Sequence, residues 1–198
     1  MIDPSSPGEA QRGCSLYLVA WGFYLVVAIA AVVWIGFRED TIPAALFLNP
    51  ETWYLDLLYG IVAGLLLVGL WEVARRSLTA ARELESTLAL LLTSLKREEA
   101  LALAFLSGFA EELFFRGAMQ GSFGILLTTL LFAFLHRGPG SGFRIWPVFA
   151  LLAGALFGGL MFWRGNLLGP VVAHVLVNAL GLWRLCGAPP DPSGPTET

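Results

Sequence analysis

Long runs without charge alternate along the chain with short stretches where charge, proline and glycine collect. Residues 15–37 are apolar throughout, long enough at about 1.5 Å per residue to cross about 30 Å of hydrocarbon. Arg38, Glu39 and Asp40 end this run, and a loop with Pro43, Asn49 and Pro50 leads to a second span over residues 55–71. That span carries Gly60 and Gly64, a spacing that lets helix backbones approach closely. Charge then collects between residues 72 and 99, around an apolar stretch at 88–95 that is too short to cross. The pattern there predicts an amphipathic helix at the interface, with a solvated linker as the plain alternative. Four further apolar stretches follow, over about 100–120, 121–136, 144–163 and 166–185. Pro147 falls where a first-turn proline is tolerated, whereas Pro170 is expected to kink the last span or mark its true start. Residues 187–198, rich in Pro, Gly, Ser and Thr, are expected to be disordered.

Composition turns these runs into a membrane protein. Of 198 residues, 57% are hydrophobic and 14% charged, against about 25% charged in soluble domains. The expected fold is all-α: a polytopic helical membrane bundle of about six transmembrane helices plus one amphipathic interfacial helix. Residues 1–14 form a short N-terminal segment, 15–186 an integral membrane domain with its motif-bearing core at about 100–182, and 187–198 the tail. The first apolar run is longer than the h-region of about 7–15 residues in a cleaved signal, so it is expected to stay as a span. The net charge of −3 argues against a nucleic-acid partner. Cys14 and Cys186 lie outside the first and last spans and give no disulfide framework. With six spans and the N-terminus inside, Arg12, Arg75, Arg76, Arg82, Lys96, Arg97, Arg137, Arg144 and Arg184 are inside. Arg38, Arg116 and Arg164 are outside. This asymmetry predicts cytoplasmic N and C termini. The short fourth span fits least easily: either its helix is longer and tilted, or a cavity opens toward the cytoplasm.

The polar groups within the spans are the candidate chemistry: Glu111, Glu112 and Arg116 in the third, His136 ending the fourth, His174 and Asn178 in the sixth. A charge at mid-bilayer costs about 2.5–3.5 kcal/mol even on the lenient insertion scale, so each needs a partner or a task. Glu112 and Arg116, at i,i+4, share a helix face and can pair. Glu111 lies about 100° around the helix from Glu112, free to face another neighbour as a general base. His174 and Asn178, again i,i+4, present two hydrogen-bonding groups on one face, a disposition suited to a developing oxyanion. Each has a plain alternative: an intramembrane ion pair, an interfacial histidine, or interhelical hydrogen bonding. The concentration of every one of these groups in three spans favours function.

These residues resemble the motifs of the CPBP family of intramembrane proteases, which includes type II CAAX prenyl endopeptidases and bacteriocin-processing relatives. The first motif is similar to Glu111-Glu112-Leu-Phe-Phe-Arg116, the second to Phe132-Ala-Phe-Leu-His136, the third to His174-Val-Leu-Val-Asn178. The resemblance covers about residues 100–182. It implies an intramembrane endopeptidase of glutamic type, cleaving a membrane-associated protein or peptide from within the lipid bilayer of a bacterial plasma membrane. It implies that Glu111 and His136 hold and deprotonate the water, that His174 and Asn178 stabilise the oxyanion, and that Glu112 and Arg116 support them. One Glu and two His are also a possible zinc set, Glu111, His136 and His174; the expectation favours no cofactor. The alternative is a non-enzymatic immunity or scaffold protein of the same fold. A small proton-coupled transporter is disfavoured, since no inverted repeat is evident.

Overall fold

The computed structural model describes residues 7–92 and 95–186. Within them the chain is helical: α1 (Pro7–Glu39), α2 (Trp53–Ser77), α3 (Thr79–Leu92), α4 (Arg97–Glu112), a π-helical segment (Leu113–Met119), α5 (Gln120–Leu135), α6 (Trp146–Arg164) and α7 (Leu168–Leu185). There is no strand among the described residues. The predicted tail at 187–198 and residues 1–6 lie outside them. The first helix begins at Pro7 rather than 15. The charged stretch divides, Glu72–Ser77 extending α2, α3 forming the amphipathic helix, and Arg97 opening α4.

Five helical runs are long and apolar enough to cross a membrane: Tyr17–Glu39, Trp53–Ser77, Arg97–Leu135, Gly142–Arg164 and Leu168–Leu185. The predicted third and fourth spans are joined in the 39-residue run. That run is not straight. Phe115 and Phe132 rings lie 5.0 Å apart, and Glu111 and His136 side chains meet at 3.7 Å, whereas the 25 positions between the latter would span about 37 Å in one helix. The chain turns back at Gly124, whose φ of 77° and ψ of 169° break the helix. This region of backbone space is essentially glycine's alone. The run therefore goes out and returns, and the bundle makes six passes with α1's start and α7's end at one face. There Tyr17, Leu182 and Cys186 pack around Leu95 and Ala100.

The fourth pass is short because it stops at the site. From Gly124 to Leu135 it covers about 17 Å, then hands over to the loop before α6, where Gly142 lies against the Glu83–Leu84 backbone of α3. α6 opens with Pro147 in its first turn and ends at Gly165, whose φ of 71° supplies the left-handed cap and whose N–H reaches the Met161 carbonyl at 2.8 Å. α7 starts at Leu168, so Pro170 lies in its first turn and costs no internal hydrogen bond.

Glycines bring α7 into the centre. Alanine-sized side chains at Gly60 and Gly64 would meet the Gly169 and Ala173 carbonyls at 2.6 and 3.0 Å, and one at Gly108 would meet the Val175 nitrogen at 3.0 Å. α7 is thus gripped by α2 on one side and α4 on the other. The far face is locked by polar groups: buried Asp56 accepts from Arg164 Nε and, at 3.0 Å, from Asn166 Nδ2, while Arg164 also donates to Thr52 Oγ1 at 2.9 Å. Asp56 is an ionisable group within a span that the sequence inventory omitted.

Candidate functional site

α4 and the π segment divide the charged motif between two directions. Glu112 turns inward and is fully buried, as is Arg116 at 1% exposure. Its Oε1 accepts from Arg116 NH1 at 3.2 Å and from His174 Nδ1 at 2.7 Å. Arg116 NH2 donates to the Gly154 carbonyl at 3.1 Å, and its guanidinium lies 4.5 Å from the Phe132 ring centroid. Glu112 is therefore more than half of an ion pair. It ties α4 to α7 and fixes His174, whose ring also stacks on Phe157 at 5.2 Å. With Nδ1–H held by Glu112, His174 is left with Nε2 for other work.

Glu111 turns the other way, towards the returning limb. Its Oε2 is buried, has no hydrogen-bond partner among the described residues and lies 3.7 Å from His136 Nε2. His136 Nδ1 is 2.7 Å from the Phe132 carbonyl, which accepts its proton. Nε2 of the neutral ring is then an acceptor. Two acceptors face each other across a gap too long for a direct hydrogen bond. Asn178, one turn beyond His174, donates Nδ2–H to Ser107 Oγ at 3.0 Å. The structure thus brings the three motifs together at one depth, in two linked groups: Glu111 with His136, and Glu112 with Arg116 and His174.

No three His, Cys, Asp or Glu side chains among the described residues come together as a metal-ligand set. Glu111, His136 and His174, the possible zinc ligands, are not gathered as one. These residues do not fit a zinc ion as they stand.

Two neighbours of the site were missed in the sequence. Ser107 sits one turn before Glu111, and that i,i+4 spacing was a readable signal. Tyr24 comes from α1; nothing local in α1 announces it. Both line a cavity of about 340 Å³ with Asn178, Trp146 and a largely apolar wall that includes Leu88, Leu103 and Val177. The Trp146 ring, 5.6 Å from that of His136, joins the cavity to the side where Glu111 and His136 meet. Trp71, Glu85 and Arg184 also line it, towards the face where α7 ends.

Residues 93–180, which carry all three motifs, match the family described as type II CAAX prenyl endopeptidase, Rce1-like. The resemblance read from the motifs is matched over that segment, which is less than half of the chain. The chain is also 39% identical over 83 residues to the "uncharacterized protein YpbD" of Bacillus subtilis (strain 168), a match covering 39% of this chain and 41% of that relative. It thus spans less than half of the relative's length. No solved structure gives a significant match.

Proposed function

We propose that this chain is an intramembrane endopeptidase that hydrolyses a peptide bond of a membrane-associated protein or peptide, with Glu111 as the general base. The observation that carries the reading is the 3.7 Å gap between Glu111 Oε2 and His136 Nε2. One water donating a hydrogen to each acceptor satisfies both and leaves an oxygen lone pair free to attack. Glu111 takes a proton as that oxygen bonds to the scissile carbonyl carbon. When the tetrahedral intermediate collapses, the C–N bond breaks and the proton passes to the leaving amine, giving one carboxylic acid and one amine. No metal enters these steps.

The carbonyl oxygen becomes an oxyanion in the intermediate. The Asn178 amide can leave Ser107 to donate to it, and His174 can donate from Nε2 when its ring carries both protons. Glu112 supports that charged form by accepting from Nδ1. In it the buried set of Glu111, Glu112, Arg116 and His174 sums to zero charge, which a low-dielectric interior favours. The apolar cavity ending at Ser107 and Asn178 accommodates an apolar part of the substrate. Arg75, Arg76, Arg82, Arg97, Arg137, Arg144 and Arg184 belong to the ends of elements at the face where the cavity opens. By the positive-inside rule this face is cytoplasmic, so the substrate enters from the cytoplasm of the plasma membrane.

The test is comparative proteomics of cells carrying the wild-type chain or Glu111→Ala. One membrane-associated precursor is expected to accumulate in the mutant although the protein still inserts. Unchanged processing in Glu111→Ala cells, with equal amounts of inserted protein, overturns the reading in favour of a non-catalytic immunity or scaffold role.

A further inference from the structure

On the protease reading the cavity is the substrate's way to Glu111, and on that basis we infer that α3 is a hinged gate on the cavity, latched by Glu85. Leu84, Glu85, Leu88 and Leu92 of α3 line the cavity, at i, i+1, i+4 and i+8, positions that share one side of a helix. Glu85 ties this side to two other elements at once. Its Oε1 accepts from Trp71 Nε1 of α2 at 2.8 Å and lies 3.8 Å from Arg184 NH1 of α7. The same Arg184 nitrogen is 3.3 Å from Glu72 Oε2 of α2. Trp71, Glu85 and Arg184 all line the cavity, so the tie that holds α3 to α2 and α7 is part of the cavity's own wall.

The other attachments of α3 suit a gate. One residue, Leu78, separates it from α2, and its φ of −117° and ψ of 125° are extended. A single extended residue between two helices can absorb a rotation. Arg82 donates to the Arg75 and Arg76 carbonyls at 3.3 and 3.4 Å, which keeps the first turn of α3 on the last turn of α2 while the remainder swings. The latch is polar and reached by water: the Arg184 and Glu85 side chains are 40% and 21% exposed. Water can therefore take over their hydrogen bonds when the tie opens, and such a pair holds only weakly. Glu112 and Arg116, at 0% and 1% exposure, have no such substitute. Swinging α3 about Leu78 widens the cavity towards Ser107 and Asn178 and leaves α4 and α7, with Glu111 and His174, in place. The gate lies outside the family match over residues 93–180.

Two readouts on the full chain in detergent test the gate, and the first needs no cleavage. Ser107 is 4% exposed and lines the cavity, so a Ser107→Cys reporter meets a thiol reagent when the cavity opens. Cys14 and Cys186 are replaced by alanine to leave it as the one thiol. Glu85→Ala is expected to raise the labelling rate about 10-fold, the lower end of what one hydrogen bond to a charged group is worth, with Tm unchanged. Trp71→Phe cuts the same bond from the α2 side. It should also raise the rate, and the two together should go no further than Glu85→Ala alone. Labelling that stays at the reporter's own rate, or a rise that comes with a fallen Tm, overturns the gate.

The second readout holds α3 in place. A Cβ at Gly142, before α6, would lie 3.3 Å from the Glu83 Cβ, near the separation of about 3.5–4.5 Å in a disulfide. In the same alanine background without the reporter, Glu83→Cys/Gly142→Cys is given a synthetic peptide spanning the cut of the precursor that Glu111→Ala accumulates. The oxidised form is expected to cleave it about 10-fold more slowly than the reduced form, since few locked molecules are competent to bind. Equal rates with the disulfide formed overturn the gate. The two levels separate cleanly. If Glu85→Ala opens the cavity but no precursor accumulates, the gate stands and the protease reading fails. If labelling is flat while cleavage depends on Glu111, only the gate fails.

Discussion

Replacing Gly60 by alanine puts a methyl carbon 2.6 Å from the Gly169 carbonyl oxygen and 2.9 Å from the Val172 Cβ. The first of these is a backbone atom and cannot swing aside. Ordinary contact begins at 3.4 Å, so α2 and α7 must part by roughly 0.8 Å, the difference between the two distances, or the variant keeps the strain. Overpacking of this kind costs about 1–3 kcal/mol. Against it stands the gain from replacing glycine inside a helix, about 0.8–1.0 kcal/mol. Gly69, in the same helix, has nothing within 4 Å of its would-be Cβ, so Gly69→Ala carries the helix gain without the clash. The expected result is that Gly60→Ala unfolds more easily than Gly69→Ala by about 1–3 kcal/mol, read from denaturation of the two purified variants in the same detergent. Activity should separate them further. His174 lies on α7 just beyond the Gly60 contact, and a displacement of nearly 1 Å at a reacting group costs up to about 100-fold in rate. If Gly60→Ala matches Gly69→Ala in both stability and cleavage rate, the grip of α2 does not set the position of α7, and the packing argument for the site falls.

Other expectations follow from the same contacts. Glu112→Gln leaves Arg116 buried without a counter-charge and is expected to destabilise by about 3–5 kcal/mol, seen as a lowered Tm. Glu112→Leu/Arg116→Met should recover much of that stability and none of the activity; equal instability in both variants would count against the pair. Asn178→Ala is expected to lower kcat about 100- to 1,000-fold with a Tm close to wild type, since a single interhelical hydrogen bond in a membrane bundle averages only about 0.6 kcal/mol. A large loss of Tm would instead make Asn178 structural. Gly124→Ala forces a side chain into a glycine-only conformation at a cost of about 1–3 kcal/mol, and its cleavage rate should fall because His136 is carried on the returning limb.

The sequence made the local relations legible and left the long-range ones hidden. Glu112 and Arg116 pair as their i,i+4 spacing requires, and Glu111 faces elsewhere as its 100° offset (about one residue's turn) requires. The bond from Glu112 to His174 crosses between helices 62 positions apart, and no periodicity within one helix encodes that register. The paired glycines illustrate the same limit. Their spacing announced close approach but named no partner; in the fold, Gly60 and Gly64 face α7, while Gly154 and Gly158 face Phe132, Thr129 and Ile125 of α5. The sequence divided the third and fourth spans at about residue 120, and only the backbone shows that the chain turns at Gly124. Asp56 escaped notice because it opens a span, where an acid reads as part of the preceding loop.

The π segment, Leu113–Met119, lies just before the turnback at Gly124 and is held by α1. A π-helical stretch widens the helix and loosens its hydrogen-bond ladder. Here the Gly117 and Ala118 carbonyls accept from Arg38 NH2 and NH1 at 3.0 and 2.6 Å. Arg38 ends α1, so the first helix is fastened to the segment that carries Arg116. Ile35, about one turn before Arg38 in α1, packs with Leu113, Ala118 and Leu167. The three motifs lie on α4, its π extension, α5 and α7, but α1 and α2 set the positions of those elements: Arg38 and Ile35 hold the π segment, and Gly60 and Gly64 hold α7. The matched segment of residues 93–180 therefore carries the candidate site residues, while the first two helices supply much of the geometry. A functional graft of the motif-bearing region onto another membrane scaffold would have to bring these contacts with it.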